Sequence, residues 1–177
     1  MVLGISCSHK YNADVQDLNF YQWNLWQEPG ADPEADPEDG LPSCSWEELH
    51  RGKGKLVRIP ASLEEHFPDN EGAGVYWYHC RFTLPEQWED RPISLVFQEG
   101  GPLLNVFLNE KKVGSFQGEE GAFELDVSED IFYVRDNHLA IRVVSAGGLA
   151  PENPNGITGT ILVIPGNWEK EVEESTE

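Results

Sequence analysis

The side chains best placed to do chemistry lie in one short alternating stretch, Trp77 to Leu84. Successive side chains of an extended strand point to opposite faces, so Trp77, His79 and Arg81 share one face. That face joins an indole to two groups that can carry positive charge, and it is expected either to be solvated or to cover something polar. A metal role for His79 is not expected, because no second histidine lies at ligand spacing along the chain. The opposite face, which we expect in the core, carries Tyr78, Cys80, Phe82 and Leu84.

Motifs of nucleophilic, zinc-dependent or nucleotide-dependent catalysis are absent from the sequence. It contains no G-x-S-x-G, no H-E-x-x-H, no P-loop and no dinucleotide-binding pattern. The three cysteines, Cys7, Cys44 and Cys80, are odd in number and form no C-x-x-C pair, so neither a disulfide framework nor a zinc site is predicted. Buried free thiols are expected, with a single disulfide bridge as the alternative.

Composition indicates a folded and strongly acidic domain. The 177 residues suit one domain rather than two, and 39% hydrophobic with 11% aromatic residues are typical of a globular chain. The 32 acidic and 12 basic residues give a net charge of −20, which repels phosphates and anionic lipids. Nucleic acid and membranes are therefore not expected partners. The first ten residues, MVLGISCSHK, lack the basic and apolar regions of a secretory signal, which slightly favours the cytoplasm.

Alternating apolar residues, with turn residues about every 8–12 positions, predict an all-β fold. Strands are predicted over 55–60, 77–84, 93–98, 123–127, 138–144 and 159–165, together with a hairpin that turns at Asn109-Glu110-Lys111. Short helical turns are predicted at 46–50 and 61–67, and the aromatic segment 11–27 is expected to wrap the edge of the core. The predicted organisation is an N-terminal wrapping segment with an acidic proline-rich loop (1–45), a β-sandwich domain (46–165) and an acidic tail (166–177).

Two acidic stretches could supply oxygen ligands for calcium. The loop at 28–42 repeats Asp-Pro-Glu at 32–34 and 36–38, but its spacing matches no EF-hand loop. Glu124 and Asp126 could hold a structural calcium ion, while Asp126 also has an alternative role in capping the turn before Ile131. No cofactor is expected, and structural calcium stays the open alternative.

Five motifs follow one another between residues 74 and 144. They are Gly74 with Trp77-Tyr78, Phe82 and Leu84-Pro85; Arg91 with Leu95-Val96-Phe97; Val106-Phe107-Leu108-Asn109 with Val113-Gly114; Phe123-Glu124-Leu125-Asp126-Val127-Ser128; and Asn137-His138-Leu139-Ala140-Ile141-Arg142-Val143. Asn155-Gly156-Ile157 follows them. In this order and spacing the chain resembles the N-terminal sugar-binding domain of glycoside hydrolase family 2, the β-galactosidase, β-glucuronidase and β-mannosidase group. The resemblance implies a two-layer β-sandwich, a jelly-roll similar to galactose-binding domains.

Two departures from the family pattern matter. The glycine that follows the hairpin asparagine in the family is Glu110 here, so the turn must tolerate a side chain, through a longer loop or with Asn109 in the left-handed conformation. The two catalytic glutamates of the family lie on a separate (β/α)₈ barrel, for which 177 residues leave no room. The resemblance therefore implies that this chain is not itself an enzyme, and no catalytic residue is assigned.

A β-sandwich of this type binds a sugar with an aromatic ring over the apolar face of the pyranose and polar groups on its hydroxyls. In the family that the chain resembles, polar residues just before the Gly-Ile element approach the sugar. This implies Asn153 and Asn155 first, with Glu152 beside them. The candidate ligand-binding set is completed by Trp46, Trp77 and Arg81.

Structural alternatives exist for most of these candidates. The asparagines could form Asx turns beside Pro151 and Pro154. Trp77 could serve packing alone, and Arg81 could form an ion pair with one of the many acidic residues.

Three functional hypotheses follow. The main one is a non-catalytic carbohydrate-binding β-sandwich, an accessory domain of a family 2 glycoside hydrolase or a companion to one, whose acidity favours neutral sugars. The alternative is an interaction domain that docks a catalytic domain or a second copy through an exposed apolar patch of Trp23, Trp26, Trp77 and Phe107. The third is a stand-alone hydrolase with an unrecognised site, which turnover of aryl glycosides would establish.

Overall fold

Antiparallel strands dominate the structure, a computed structural model that describes residues 14–32, 40–70, 73–99, 103–116, 122–145 and 155–166. The strands are β1 (Gln16–Asp17), β2 (Trp23–Gln27), β3 (Lys55–Val57), β4 (Ala61–Ser62), β5 (Gly74–Thr83), β6 (Ile93–Phe97), β7 (Leu104–Leu108), β8 (Lys111–Phe116), β9 (Phe123–Asp126), β10 (Asp136–Ser145), β11 (Gly156–Ile157) and β12 (Ile161–Pro165). Two short helices, α1 (Trp46–His50) and α2 (Leu63–His66), accompany 3₁₀ turns at Leu18–Phe20, Pro68–Asn70 and Glu86–Trp88. Within the described ranges no helix combines the length and the hydropathy needed to cross a bilayer.

The strands form two large sheets that face each other and one small sheet. The order is β3-β2-β5-β10-β7-β8 in the six-stranded sheet and β1-β12-β6-β9 in the four-stranded sheet, while β11 pairs with β4. Side chains from both large sheets share one core, with Tyr78 and Ile141 from the first against Leu95 and Val163 from the second. The predicted two-layer all-β sandwich is confirmed.

The two longest strands, β5 and β10, pair along their whole length near the middle of the six-stranded sheet. Their register sets Cys80 opposite Leu139, and both side chains point into the core. The alternation predicted for this stretch is confirmed, since Tyr78, Cys80 and Phe82 all belong to the same buried cluster. The intervening residue His79 lies opposite Ala140 on the outer face of the sheet.

The aromatic segment expected to wrap the edge of the core instead contributes a strand inside the six-stranded sheet. Strand β2 pairs with β5 on one side and with β3 on the other. Trp23 is fully buried, and its Nε1 donates a hydrogen bond of 2.8 Å to the carbonyl of Leu18. The sequence of β2 does not alternate between polar and apolar residues, because side chains on both of its faces are covered.

The predicted hairpin between β7 and β8 is present, but it turns through two residues, Asn109 and Glu110, and Lys111, which was predicted in the turn, begins β8. Their φ angles are 51° and 73°, so both lie in the left-handed region that a tight two-residue hairpin requires. Of the two alternatives left open, a longer loop or a left-handed Asn109, the structure shows the second. Glu110 adopts it as well, although it carries the side chain that the family glycine lacks.

Helix α1 forms at the predicted turn and covers the outer face of the six-stranded sheet. Ser45 caps it through a reciprocal capping box with Glu48, which satisfies backbone donors of the first turn. Its one fully buried residue, Leu49, packs in a cluster with Trp77, Phe107 and Ala140. This face of β5 was expected to be solvated or to cover something polar. Where α1 packs on it, the face instead forms part of a second small core.

Candidate functional site

A polar cleft of about 760 Å³ lies where α1 meets the outer face of β5 and β10. The last residue of α1, the outward side chains of both strands and the β7–β8 turn all contribute to its walls. The charged side chains lining it are Glu47, Arg51, Arg81, Glu110 and Asp136.

Three histidines from three different elements meet in this cleft. His50 ends α1, His79 lies on β5 and His138 on β10. Nε2 of His79 is 3.0 Å from Nδ1 of His138, and the ring of His50 stacks on that of His138 with centroids 4.0 Å apart and planes inclined by 12°. One ring nitrogen from each histidine lies within 4.8 Å of the other two.

Sheet register and helix placement together create this cluster. His138 lies opposite Arg81 in the β5–β10 ladder, so it is a diagonal neighbour of His79 on the same face. Leu49 anchors α1 to that face, which brings the next residue, His50, over the pair. Three histidines that are far apart in the chain therefore become neighbours.

Burial keeps the three imidazoles neutral at physiological pH. Desolvation lowers the pKa of His79 to about 3 and that of His50 to about 4, and the positive charge that His138 would carry lowers both further. The pKa of His138 is also lowered, chiefly by burial, although the carboxylates of Asp136 and Glu110 oppose the change. Since His50 is neutral, the 3.9 Å separation between its Nδ1 and Oε1 of Glu110 is a polar contact rather than an ion pair.

Exposed ion pairs line the rest of the cleft. Nη1 of Arg81 lies 3.5 Å from Oδ2 of Asp136, and Nη2 of Arg51 lies 2.5 Å from Oε1 of Glu47. Solvent-exposed pairs of this kind contribute only about 0.2–1 kcal/mol to stability. Among the predicted ligand-binding residues that the structure describes, Arg81 is the one that lines the cleft.

The two tryptophans of the predicted ligand-binding set pack against each other where α1, which begins at Trp46, meets β5. Trp77 is fully buried, and its Nε1 donates a hydrogen bond of 2.9 Å to Oε2 of Glu28. Trp46 is half-buried, edge-on to Trp77 with centroids 5.8 Å apart, and also contacts Phe107. Trp77 has no surface left for a ligand, so the structure gives it the packing role.

The predicted exposed patch of four aromatic residues is wrong. Trp23, Trp77 and Phe107 are buried, and Trp26 is half-buried. Trp23 lies in the core between the two large sheets, whereas Trp77 and Phe107 pack against Leu49 of α1. Strand periodicity shows which residues share a face, but not that a helix from another part of the chain covers that face.

Asn155 lies just before β11, where it contacts α2, and it does not line the cleft. It is 8% exposed, and its Nδ2 donates a hydrogen bond of 2.7 Å to Oε1 of Glu64, while its carbonyl accepts one of 2.9 Å from the backbone of Leu63. Asn153 and Glu152, the other predicted loop ligands, lie outside the described residues.

Sequence reasoning missed two of the three clustered histidines. Spacing along the chain could not reveal them, because the three histidines come from a helix and two strands. One signal was available: if the predicted strands 77–84 and 138–144 pair as neighbours, His79 and His138 fall on one face.

The described cysteines are free thiols, and the acidic residues considered for calcium form hydrogen bonds with serines. Cys44 and Cys80 are free thiols, half-buried and buried respectively, whereas Cys7 lies outside the described residues. Asp126 accepts hydrogen bonds from the backbone and hydroxyl of Ser128, and Glu124 accepts one from Ser94. Most of the acidic loop, residues 33–39, also lies outside the described part.

Comparison with known proteins identifies the family of this chain. A family model described as the β-galactosidase second all-β domain matches residues 56–148, more than half of the sequence. The chain belongs to this family. The resemblance to glycoside hydrolase family 2 is thereby confirmed, although the model describes the second all-β domain rather than the N-terminal one. The matched span includes His79 and His138 but not His50.

Several solved structures share the fold of this β-galactosidase-type domain. A β-glucuronidase from an uncultured Clostridium sp. is 19% identical with a TM-score of 0.64. The match covers 94% of this chain and 31% of the glucuronidase. The Ruminococcus gnavus β-glucuronidase in complex with D-glucaro 1,5-lactone is 19% identical with a TM-score of 0.61. The match covers 88% of this chain and 30% of the glucuronidase. A family 2 glycosyl hydrolase from Bacteroides cellulosilyticus is 17% identical with a TM-score of 0.61. The match covers 85% of this chain and 20% of the hydrolase. No curated protein shows significant sequence similarity to the chain. The chain therefore spans less than a third of each of these solved proteins.

Proposed function

We propose that this domain is a non-catalytic, carbohydrate-binding accessory module of a family 2 glycoside hydrolase, and that it binds neutral sugars in the polar cleft. The observation that carries the proposal is the cleft itself, whose volume of about 760 Å³ lies within the range of about 300–1,000 Å³ typical of small-ligand sites. The proposed sugar site therefore lies on the outer face of β5 and β10, whereas the sequence predicted it in the loop before Gly156.

The side chains of the cleft suit a polyhydroxylated ligand. Glu47 and Asp136 accept hydrogen bonds from hydroxyl groups, and the guanidinium of Arg81 donates them. The ring of Tyr21, half-buried at the edge of the cleft, offers an apolar surface for the C–H face of a pyranose. Because the chain carries a net charge of −20, neutral sugars are favoured over polyanionic glycans.

Catalysis is assigned elsewhere in this proposal. The described residues form antiparallel sheets and contain no parallel (β/α)₈ barrel, the element that carries the catalytic glutamates in the family the sequence resembles. The domain therefore contributes binding to the hydrolase, and we expect no turnover of aryl glycosides by this chain alone.

Calorimetric titration with neutral mono- and oligosaccharides at millimolar concentration tests the proposal. Wild type is expected to bind at least one of them, and Arg81→Ala is expected to weaken that binding. Arg58→Ala is the matched control, since Arg58 is exposed and lies outside the cleft. Absence of heat with every sugar, or equal affinities for both arginine variants, would overturn the proposal.

A second candidate role is self-association, which one observation favours. Phe20 and Leu56 are 89% and 66% exposed and flank a shallow groove of about 410 Å³ beside the edge strand β3. Exposed apolar side chains next to an edge strand are typical of a pairing surface. Light scattering of wild type and of Phe20→Ser/Leu56→Ser tests the role: a dimer abolished by the double substitution supports it, and a monomer at all concentrations rules it out.

A further inference from the structure

The histidine cluster has a property that sugar binding does not use. Three neutral imidazoles converge from α1, β5 and β10, with one nitrogen from each inside a region 4.8 Å across. Nε2 of His50 is buried and has no hydrogen-bond partner in the described part of the chain. A buried polar atom without a partner destabilises a fold, so this nitrogen is suited to an additional ligand.

We propose that His50, His79 and His138 form a binding site for a divalent transition metal such as Zn²⁺, with a fourth coordination position open to the cleft. Three histidines and one open position are the arrangement of a zinc site that exchanges a water molecule or a ligand. The inference does not depend on carbohydrate binding, and it concerns residues that the sequence motifs left without a role.

The separation of the nitrogens fits tetrahedral coordination after a small adjustment. Zn–N bonds of about 2.0–2.1 Å imply nitrogens about 3.3 Å apart. Nε2 of His79 and Nδ1 of His138 are already 3.0 Å apart. One ring nitrogen from each of the three histidines lies within 4.8 Å of those of the other two.

Ring orientation is the part of the site that must change on binding. The ring of His50 stacks on that of His138, whereas a metal ion lies in the plane of each imidazole that binds it. His50 is the ring best placed to turn, because it ends a five-residue helix and lines the cleft. The χ2 torsion of histidine has broad minima, so such a rotation costs little.

The donor atoms select the class of metal. Imidazole nitrogens suit Zn²⁺, Cu²⁺, Ni²⁺ and Co²⁺, whereas Ca²⁺ and Mg²⁺ require oxygen ligands. Each imidazole binds a metal ion through an unprotonated ring nitrogen, so binding is expected to be tightest at neutral or higher pH. The charged side chains around them are three acidic (Glu47, Glu110, Asp136) and two basic (Arg51, Arg81), so the cleft carries a net negative charge that attracts a cation.

Titration of the EDTA-treated and desalted full chain with ZnCl₂ at neutral pH tests the site. One Zn²⁺ per chain is expected, in a complex that excess Ca²⁺ does not displace. His50→Gln is expected to weaken binding by roughly tenfold or more, since loss of outer-shell partners alone costs 10–100-fold. His66→Gln, at the end of α2 and outside the cluster, is the matched control and is expected to bind Zn²⁺ as wild type does.

Co²⁺ provides a second readout, which reports the coordination geometry of the bound ion. In wild type it is expected to give the visible absorption of a tetrahedral nitrogen-bound ion, and this absorption should be lost in His50→Gln and in His138→Gln. Far-UV circular dichroism verifies that the variants remain folded. Absence of Zn²⁺ and Co²⁺ binding by folded wild type, or equal binding by His50→Gln and His66→Gln, would overturn the proposal and leave the cluster as a purely structural stack.

Discussion

Nδ2 of Asn109 donates a hydrogen bond of 3.0 Å to Oδ1 of Asn137, across 28 residues of sequence. Asn137 is fully buried, and its amide also exchanges two hydrogen bonds of 2.8 Å with the backbone of Phe132. Oδ1 of Asn109 accepts from the backbone of His138 at 2.9 Å. Two asparagines from separate sequence motifs thus tie the β7–β8 turn to the start of β10, next to the histidine cluster.

Replacement of Asn137 by alanine is expected to lower the free energy of unfolding by about 2 kcal/mol, because it leaves buried backbone groups of Phe132 without partners. Urea denaturation measures the change. Gln87→Ala, on an exposed turn, serves as the control and should change stability by less than about 0.5 kcal/mol. A similar small change in Asn137→Ala would show that the asparagine pair does not support the fold.

Replacement of Glu110 by glycine is expected to stabilise the protein by about 1 kcal/mol, because Glu110 has a φ of 73° and glycine adopts this conformation without strain. For a chain of this size the melting temperature should rise by about 2–4 °C. Lys112→Gly, within β8, should instead destabilise by about 0.5–1 kcal/mol. Equal losses in both variants would mean that the turn stores no strain.

The Cys80 thiol is expected to be unreactive in the folded protein, because it is fully buried and burial raises its pKa to about 12. In a Cys7→Ser/Cys44→Ser variant, a disulfide reagent at pH 8 should label Cys80 only after denaturation. In Cys7→Ser/Cys80→Ala the half-buried Cys44 should react faster. Rapid labelling of Cys80 in folded protein would contradict its place in the core.

Stability without metal is expected to fall as the pH drops below about 6.5. In the unfolded chain His50 and His79 take up protons near their ordinary pKa of about 6.5. In the folded chain they do so only near pH 4 and 3. The unfolded state therefore binds more protons throughout this window, so the free energy of unfolding decreases as the pH falls through it and is unaffected by these groups above it.

Urea denaturation in EDTA at pH 7.5 and pH 5 measures this linkage. His50→Gln removes one titrating group, so the loss of stability between the two pH values should be smaller than in wild type. Arg81 opposes protonation of the cluster, and Asp136 and Glu110 favour it, but His50→Gln leaves all three unchanged. Equal losses in both proteins would refute the burial of the neutral ring.

Several features of the fold were predictable from local sequence, because they depend on neighbours along the chain. The alternation around Tyr78 and Cys80 identified a core-facing strand, and the Asn109 turn marked the β7–β8 hairpin. The placement of β2 was not predictable in the same way, because a strand covered on both faces shows no alternation.

The candidate site was less accessible to sequence reasoning. Arg81 was identified because it shares a strand face with His79, and both line the cleft. Trp77 shares that face too, yet it is buried because Leu49 and the rest of α1 pack over it. The pattern of a strand is the same whether water or a helix covers its outer face.

The sequence by itself determined the all-β class, the core-facing residues of the central strand, the hairpin turn and the resemblance to family 2 glycoside hydrolases. Each of these follows from short-range periodicity, turn chemistry or ordered motifs. Only the tertiary structure decided that His50, His79 and His138 meet and that Trp77 is buried. Both depend on the register of β5 with β10 and on the packing of α1 across them, and these long-range contacts leave no periodic signal in the chain.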